Sequence, residues 1–222
     1  MIINVLQHTP NEGPGAIQAW AHLHQHDFYV YHPYQFQVLP SAAQTDFLVI
    51  LGGPMSPNDQ LPWILQERQL IKTLLQQQVP ILGVCFGAQQ IVKTLGYAVH
   101  KAPVKEVGWG PVTLRSAQIS GLPDQLTVLH WHEEMFELPK KATLLFSNDN
   151  LTNQGFVLGH QAVGLQFHLE PQVDNVKEIV VNDAQYIAGS VLQQSAAEIM
   201  QTPLPQANEA ALFHILDYLT GN

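Results

Sequence analysis

The run Ile81-Leu82-Gly83-Val84-Cys85-Phe86-Gly87-Ala88-Gln89 constrains the fold more than any other stretch of the chain. A short apolar, β-rich segment leads into a cysteine, and a helix-compatible segment follows it. Glycine stands two residues away on either side. This is the pattern of a nucleophile elbow, a sharp strand-to-helix turn, with sulfur in place of oxygen. The turn forces the central residue into a strained backbone conformation, and Gly83 and Gly87 relieve crowding against neighbouring backbone. A thiol there stands at the C-terminal edge of a sheet, where open α/β sheets place their ligands. The helix N-terminus just beyond favours thiolate, and the Phe86 N–H becomes a first oxyanion donor. The competing reading of Cys85 is an inert buried core residue.

The rest of the chain supplies a frame for such a turn. Strands are expected over Ile2 to Leu6, Phe28 to Tyr31, Asp46 to Leu51 and Ile81 to Val84. Helices are expected over Gly15 to Gln25, Trp63 to Gln78 and Ala88 to Leu95, the middle one from its stripe of Ile64, Leu65, Leu70, Ile71, Leu74 and Leu75. Strand, crossover helix, strand implies a mostly parallel sheet covered on both faces, an α/β three-layer sandwich. After Gly96 the pattern turns strand-rich: Val107 to Leu114, Leu126 to His130, Thr143 to Ser147, Gly155 to Leu158 and Ala162 to Phe167. Two late helices follow, Val173 to Met200 and Ala207 to Leu219. One domain over residues 1–222, with C-terminal helices from about 173, accommodates all of this.

Composition narrows the function classes. Hydrophobic residues make up 46% and charged residues 12%, enough apolar material for a sizeable core. The formal net charge of -9 repels phosphate backbones, so nucleic acid is a poor partner. No apolar run approaches the ~20 residues that span a bilayer, and no basic segment suggests a membrane surface. A single cysteine forms no intrachain disulfide. With no signal-peptide pattern at the start, a cytoplasmic protein is expected.

The nucleophile needs a base. The chain carries 11 histidines, so proximity alone says little. His168 differs: the apolar run Val163 to Phe167 ends in it, and Glu170 follows two residues on. In extended backbone, residues i and i+2 project to the same side. Glu170 can therefore hold one imidazole nitrogen while the other faces the thiol, the geometry of a nucleophile–base–orienter triad. Gly52-Gly53-Pro54 closes the strongest buried strand, and either ends it as an ordinary turn or offers Gly53 as a second oxyanion donor.

In this order, the Gly-Gly-Pro turn, the Cys85 elbow and Phe167-His168-Leu169-Glu170 resemble the class I, triad-type glutamine amidotransferases, over roughly Asp46 to Pro171. The resemblance implies a flavodoxin-like sheet and an ammonia-releasing triad of Cys85 nucleophile, His168 base and Glu170 orienter. It implies that Gln89 lines a glutamine pocket and that Gly53 and Phe86 form the oxyanion hole. No cofactor is implied. Lys105-Glu106-Val107-Gly108-Trp109-Gly110 and His130-Trp131-His132-Glu133-Glu134 are similar to the glutaminase part of GMP synthetases and their stand-alone relatives. There His132 matches the histidine of a substrate-covering loop, or is a polar residue at a strand end. The family commonly has proline where Leu169 stands, and its absence is expected to loosen the triad slightly.

The function expected is release of ammonia from glutamine, or cleavage of another γ-glutamyl amide. No acceptor domain or P-loop is visible in the last fifty or so residues. Ammonia would pass to a separate synthetase subunit or be released. Two alternatives stand beside this: a subunit silent until such a partner docks, and a non-catalytic redox or stress protein using Cys85 as a sensor. A cysteine peptidase is weaker, since no extended peptide groove is indicated. The early histidines His22, His24, His26 and His32 have no acidic or thiol ligands around them, so a solvated face is expected rather than a metal site. Trp20, Trp63, Trp109 and Trp131 are expected to pack.

Overall fold

The computed structural model describes residues 1–221. Nine strands form one sheet in the order β2-β1-β3-β4-β9-β8-β7-β5-β6. The first five positions, β2 (Asp27–Tyr31), β1 (Ile2–Leu6), β3 (Phe47–Ile50), β4 (Ile81–Val84) and β9 (Ala162–Leu165), run parallel to one another. This is the flavodoxin-like order, with its reversal beside β1. The remaining strands, β8 (Gly155–Leu158), β7 (Thr143–Ser147), β5 (Val99–Leu114) and β6 (Gln125–Phe136), extend the sheet antiparallel.

Alternation of side chains explains why the central strands are apolar throughout. Val49, Leu82, Val84 and Val163 meet Ile17 and Trp20 of α1 (Ala16–Leu23) and Leu212, Ile215 and Leu216 of α7 (Gln206–Thr220). Leu48, Ile50 and Ile81 point the other way, onto Leu70, Ile71 and Leu74 of α3 (Pro62–Gln76) and Ile91 of α4 (Phe86–Thr94). Both faces are dry, so polar residues have no place on these strands. A short helix, α2 (Pro33–Phe36), follows β2.

Two differences from the sequence expectations have clear causes. β5 and β6 are longer than the expected Val107 to Leu114 and Leu126 to His130, because the ladder resumes beyond an irregularity between Lys101 and Glu106. Pro103 lies in that gap and has no N–H to donate. The expected continuous helix from Val173 to Met200 is instead α5 (Val173–Asn182), a 3-10 turn (Ala184–Ile187), a loop and α6 (Ala196–Gln201). The break is tertiary in origin. Beyond its pairing with β7 at Thr113 and Leu114, β5 has a bare backbone edge, and the loop covers it. Ser190 Oγ accepts from Val107 N and donates to Val107 O, both at 2.8 Å. Gln194 makes the same double contact with the Trp109 backbone, again at 2.8 Å. Gly189 turns the chain with φ 81°, and Ser195 caps α6 by accepting from Glu198 N.

The ends of β3 and β4 are brought together very closely. A Cβ at Gly87 would collide with the Ile50 carbonyl, and one at Gly83 would lie 2.6 Å from Gly87 C. Behind Gly52-Gly53 lies a buried His8–Glu67 pair. His8 Nε2 faces Glu67 Oε2 at 2.8 Å, while Nδ1 faces the carbonyls of Leu51 at 3.1 Å and Gly52 at 3.2 Å. Acceptors at both ring nitrogens call for an imidazolium. Burial opposes that charge, but Glu67 and the Gly52 carbonyl outweigh it and leave the His8 pKa raised. Gln90 Nε2 donates to the other Glu67 oxygen at 2.9 Å, so α3 and α4 share this network.

Gly87→Ala is expected to lower unfolding free energy by about 1–3 kcal/mol or more, because β3 and α4 must separate to admit a methyl group. Urea denaturation reads this directly. The His8 pair carries a pH signature. Because the folded pKa is raised, its stabilisation is fully present below the ordinary histidine value of about 6.5 and is lost as pH rises through the folded value. The stability gap between wild type and Glu67→Gln should therefore be widest at about pH 6 and close on the alkaline side. A gap that does not vary with pH would show that His8 is neutral.

Candidate active site

Cys85 sits at the mouth of β4 with φ 50° and ψ -109°, a strained conformation for a residue with a side chain. The elbow expected from the sequence is therefore present, and α4 starts at the next residue, Phe86. Cys85 N donates to Leu165 O at 2.7 Å, tying the turn to β9. The thiol is 3.8 Å from Trp131 O and 3.7 Å from Gln166 Nε2.

His168 follows β9 and is pinned to β6: its N–H donates to Leu129 O at 2.9 Å. His168 Nδ1 meets Glu170 Oε1 at 2.6 Å, in a fully buried setting. Nδ1 thus carries the proton, while Nε2 makes no hydrogen bond, and the ring is electrostatically coupled to the Cys85 thiol. Leu169, where proline was expected from the resemblance, adds a contact of its own. Its N–H donates to Glu170 Oε2 at 3.1 Å, a contact that proline cannot make.

Electrostatics in the site is dominated by burial. It pushes the Cys85 thiol pKa up, against the pull of His168 and the Phe86 N–H. The helix N-terminus pulls towards thiolate as expected, through the Phe86 N–H, but burial outweighs it. His168 responds in the opposite sense. Burial disfavours its cation, yet Glu170 and Cys85 together hold its pKa well above the ordinary value. Each of the two groups favours the charged form of the other.

Gly53, Phe86, Cys85 and Gln89 all line one cleft of about 310 Å³, together with His132. That volume lies within the range of small-molecule sites. Gln89 is buried and reaches Gln166 Oε1 at 3.1 Å, so it stands one side chain away from the thiol. His132 is also buried, on β6, with its Nε2 at 3.4 Å from Glu106 Oε2. Burial pushes His132 well below its usual pKa and His130 down to about 4. The cleft wall is acidic, with Glu12, Glu133, Glu134 and Asp183 against a single cation, Lys101.

Glu12 and Gln166 were not singled out in the sequence. Glu12 lies in the loop before α1, whose geometry is set by Gly15 at φ 48°, and Ala16 N donates to Glu170 O at 2.9 Å. This carries the Glu12 carboxylate onto Gly52, beside His168. Burial raises its pKa, with His168 acting the other way. No spacing rule links Glu12 to Glu170; only their tertiary contact does. Gln166 directly follows β9, but its reach to sulfur depends on the packing of β9 against α4.

The early histidines do not converge on one point. His24 packs on Trp20 with ring centroids 4.7 Å apart, and His26 Nδ1 meets the N-terminal amine at 3.5 Å. Trp20, Trp63 and Trp109 are packing residues, while Trp131 also lines the cleft and donates to Asp183 at 2.9 Å. Among the described residues, no helix is long and apolar enough to cross a membrane.

Comparison with known proteins agrees with this layout. A family model described as glutamine amidotransferase class-I matches residues 20–184. The putative glutamine amidotransferase-like protein YfeJ of Salmonella typhimurium is 32% identical, with 99% of this chain and 98% of that protein covered. Gamma-glutamyl peptidase 3 of Arabidopsis thaliana is 28% identical over 61% of this chain and 58% of its own length. The chain spans about a quarter, 24%, of the length of the GMP synthase of Porphyromonas gingivalis, at 28% identity over 55% of this chain. The crystal structure of a glutamine amido transferase from Methylobacillus flagellatus superposes with a TM-score of 0.91 at 27% identity, covering 99% of this chain and 94% of that one. The cysteine elbow, the sheet that carries it and the match over most of the chain lead to one assignment: this protein belongs to the class-I glutamine amidotransferase family.

Proposed function

We propose that the chain is a cysteine-dependent hydrolase that releases ammonia from glutamine, or cleaves a γ-glutamyl amide, through a thioester on Cys85. One observation carries this reading: Cys85, strained on its elbow, faces a histidine whose other nitrogen is held by Glu170 at 2.6 Å. In the proposed mechanism His168 Nε2 takes the thiol proton and sulfur attacks the amide carbonyl. The Gly53 and Phe86 N–H groups receive the developing oxyanion. His168 then protonates the leaving amine, and water, deprotonated by the same imidazole, hydrolyses the thioester. Glu170 keeps the ring in the right tautomer and stabilises its cation.

The cleft lining supports an amino-acid substrate. Its acidic groups suit an α-ammonium, and Lys101 suits an α-carboxylate. Gln89 fills the wall next to the thiol, in position to contact the γ-glutamyl chain. A redox-sensor role is less well supported, since Cys85 is buried and its thiol pKa is raised rather than lowered.

A second reading, a glutaminase that becomes active on docking with a separate synthetase subunit, is favoured by the match to a quarter of a GMP synthase. Full activity of the purified chain alone would remove that reading.

Purified protein incubated with glutamine and with γ-glutamyl peptides should release ammonia or free amine together with glutamate. Cys85→Ala should abolish turnover, and Glu170→Gln should lower kcat by roughly 10²–10⁴-fold, the range for a lost base or a wrong tautomer. Turnover that survives Cys85→Ala refutes the proposal. Intact-mass detection of an adduct on Cys85 after exposure to an electrophilic glutamine analogue would report the substrate class.

A further inference from the structure

Glu106 on β5 and His132 on β6 are direct cross-strand partners, and His130 lies two residues before His132 on the same face. All three are buried. Their inward atoms converge: Glu106 Oε2 lies 3.4 Å from His132 Nε2 and 3.9 Å from His130 Nδ1, and the three ligand atoms lie within 4.8 Å of one another. Neither ring makes a hydrogen bond through either nitrogen. Four unpartnered buried imidazole nitrogens beside one carboxylate are costly in a packed core. A cation held by Glu106 Oε2, His130 Nδ1 and His132 Nε2 would satisfy one nitrogen of each ring.

The geometry points to a binding site for a divalent transition-metal cation of the zinc class, held by Glu106, His130 and His132. Tetrahedral coordination with bonds of about 2.0–2.1 Å places ligand atoms about 3.4 Å apart. The Glu106–His132 separation already matches this; His130 must close by about half an ångström on Glu106, and the three ligand atoms, now within 4.8 Å of one another, must draw together to that spacing. Two imidazoles and a carboxylate suit zinc, cobalt or iron(II) rather than magnesium or calcium, which prefer oxygen.

The surroundings resemble an outer ligand shell. Asn148 and Asn150 donate to Glu106 Oε1 at 2.7 and 2.9 Å, and Gln154 donates to Oε2 at 2.6 Å. These fix the carboxylate as metal sites fix theirs. The His130 ring lies close over Gly110, where a side chain would crowd it. An ion here would clamp β5 and β6 to the segment after β7. It would also brace Trp131, whose carbonyl faces the Cys85 thiol from between the two histidines.

The test uses Cys85→Ala protein, so that the Cys85–His168 pair cannot capture the metal. After chelator treatment and dialysis, the folded protein is titrated with Co²⁺ and then Zn²⁺. One equivalent of Co²⁺ should give the visible absorption of a tetrahedral site, and Zn²⁺ should displace it. Asn150→Ala, made in the same background, should weaken binding by about 10–100-fold, as outer-shell changes do. His130→Gln should abolish the one-equivalent signal, while a His24→Gln/His26→Gln double variant should keep it. Absence of stoichiometric binding to the folded Cys85→Ala protein overturns the proposal. So does binding unchanged by both Asn150→Ala and His130→Gln, or binding lost with the early histidines. If His130→Gln does not fold, the cobalt spectrum and Asn150→Ala still decide. None of these readouts depends on amide hydrolysis, so the site and the proposed reaction stand or fall separately.

Discussion

The approach of α4 to the end of β3 sets the rest of the site. Gly87 touches the Ile50 carbonyl so closely that no side chain fits, and Gly83 is pressed against Gly87 and Ala88. This contact holds Cys85 at positive φ, where strain costs on the order of 1–3 kcal/mol. The packing of two dry sheet faces supplies that energy. In exchange, the thiol, the Phe86 N–H and the Gly52-Gly53 turn end up around one cleft. A looser junction would leave the same residues present but dispersed.

Burial gives the charged groups of this region their character. The site is deep enough that thiolate is disfavoured and every carboxylate needs defined donors. Glu170 has the His168 ring and the Leu169 N–H; Glu67 has His8 and Gln90; Glu106 has three side-chain amides. Low local polarity strengthens each of these contacts and makes any missing partner expensive. The His8–Glu67 pair lies outside the cleft lining, yet it holds the carbonyls of Leu51 and Gly52 in place from behind. Position in the cleft and position in the network are thus separate roles.

The antiparallel extension is more than an addition to the sheet. β6 supplies the Trp131 carbonyl opposite the thiol and the Leu129 backbone that anchors His168. β5 carries Glu106 underneath. The loop between α5 and α6 covers the open edge of β5 with side-chain amide and hydroxyl contacts, standing in for a further strand. Asp183 ends α5 where it can accept from Trp131 Nε1, which draws the C-terminal region to the cleft.

By itself the sequence determined whatever depends on neighbours along the chain. The apolar period marked β3, β4 and α3, the paired glycines marked the elbow, and the i, i+2 spacing placed Glu170 beside His168, because local geometry alone brings those atoms together. Tertiary structure decided the rest. The helical pattern after Val173 was broken by the bare edge of β5, which offered better hydrogen bonds than another turn of helix. Glu12 reached Gly52 only through the docking of its loop on Glu170, and the Leu169 N–H found a Glu170 carboxylate oxygen. His130, His132 and Glu106 converge because β5 and β6 pair in one particular register, and register belongs to two strands rather than to either sequence alone.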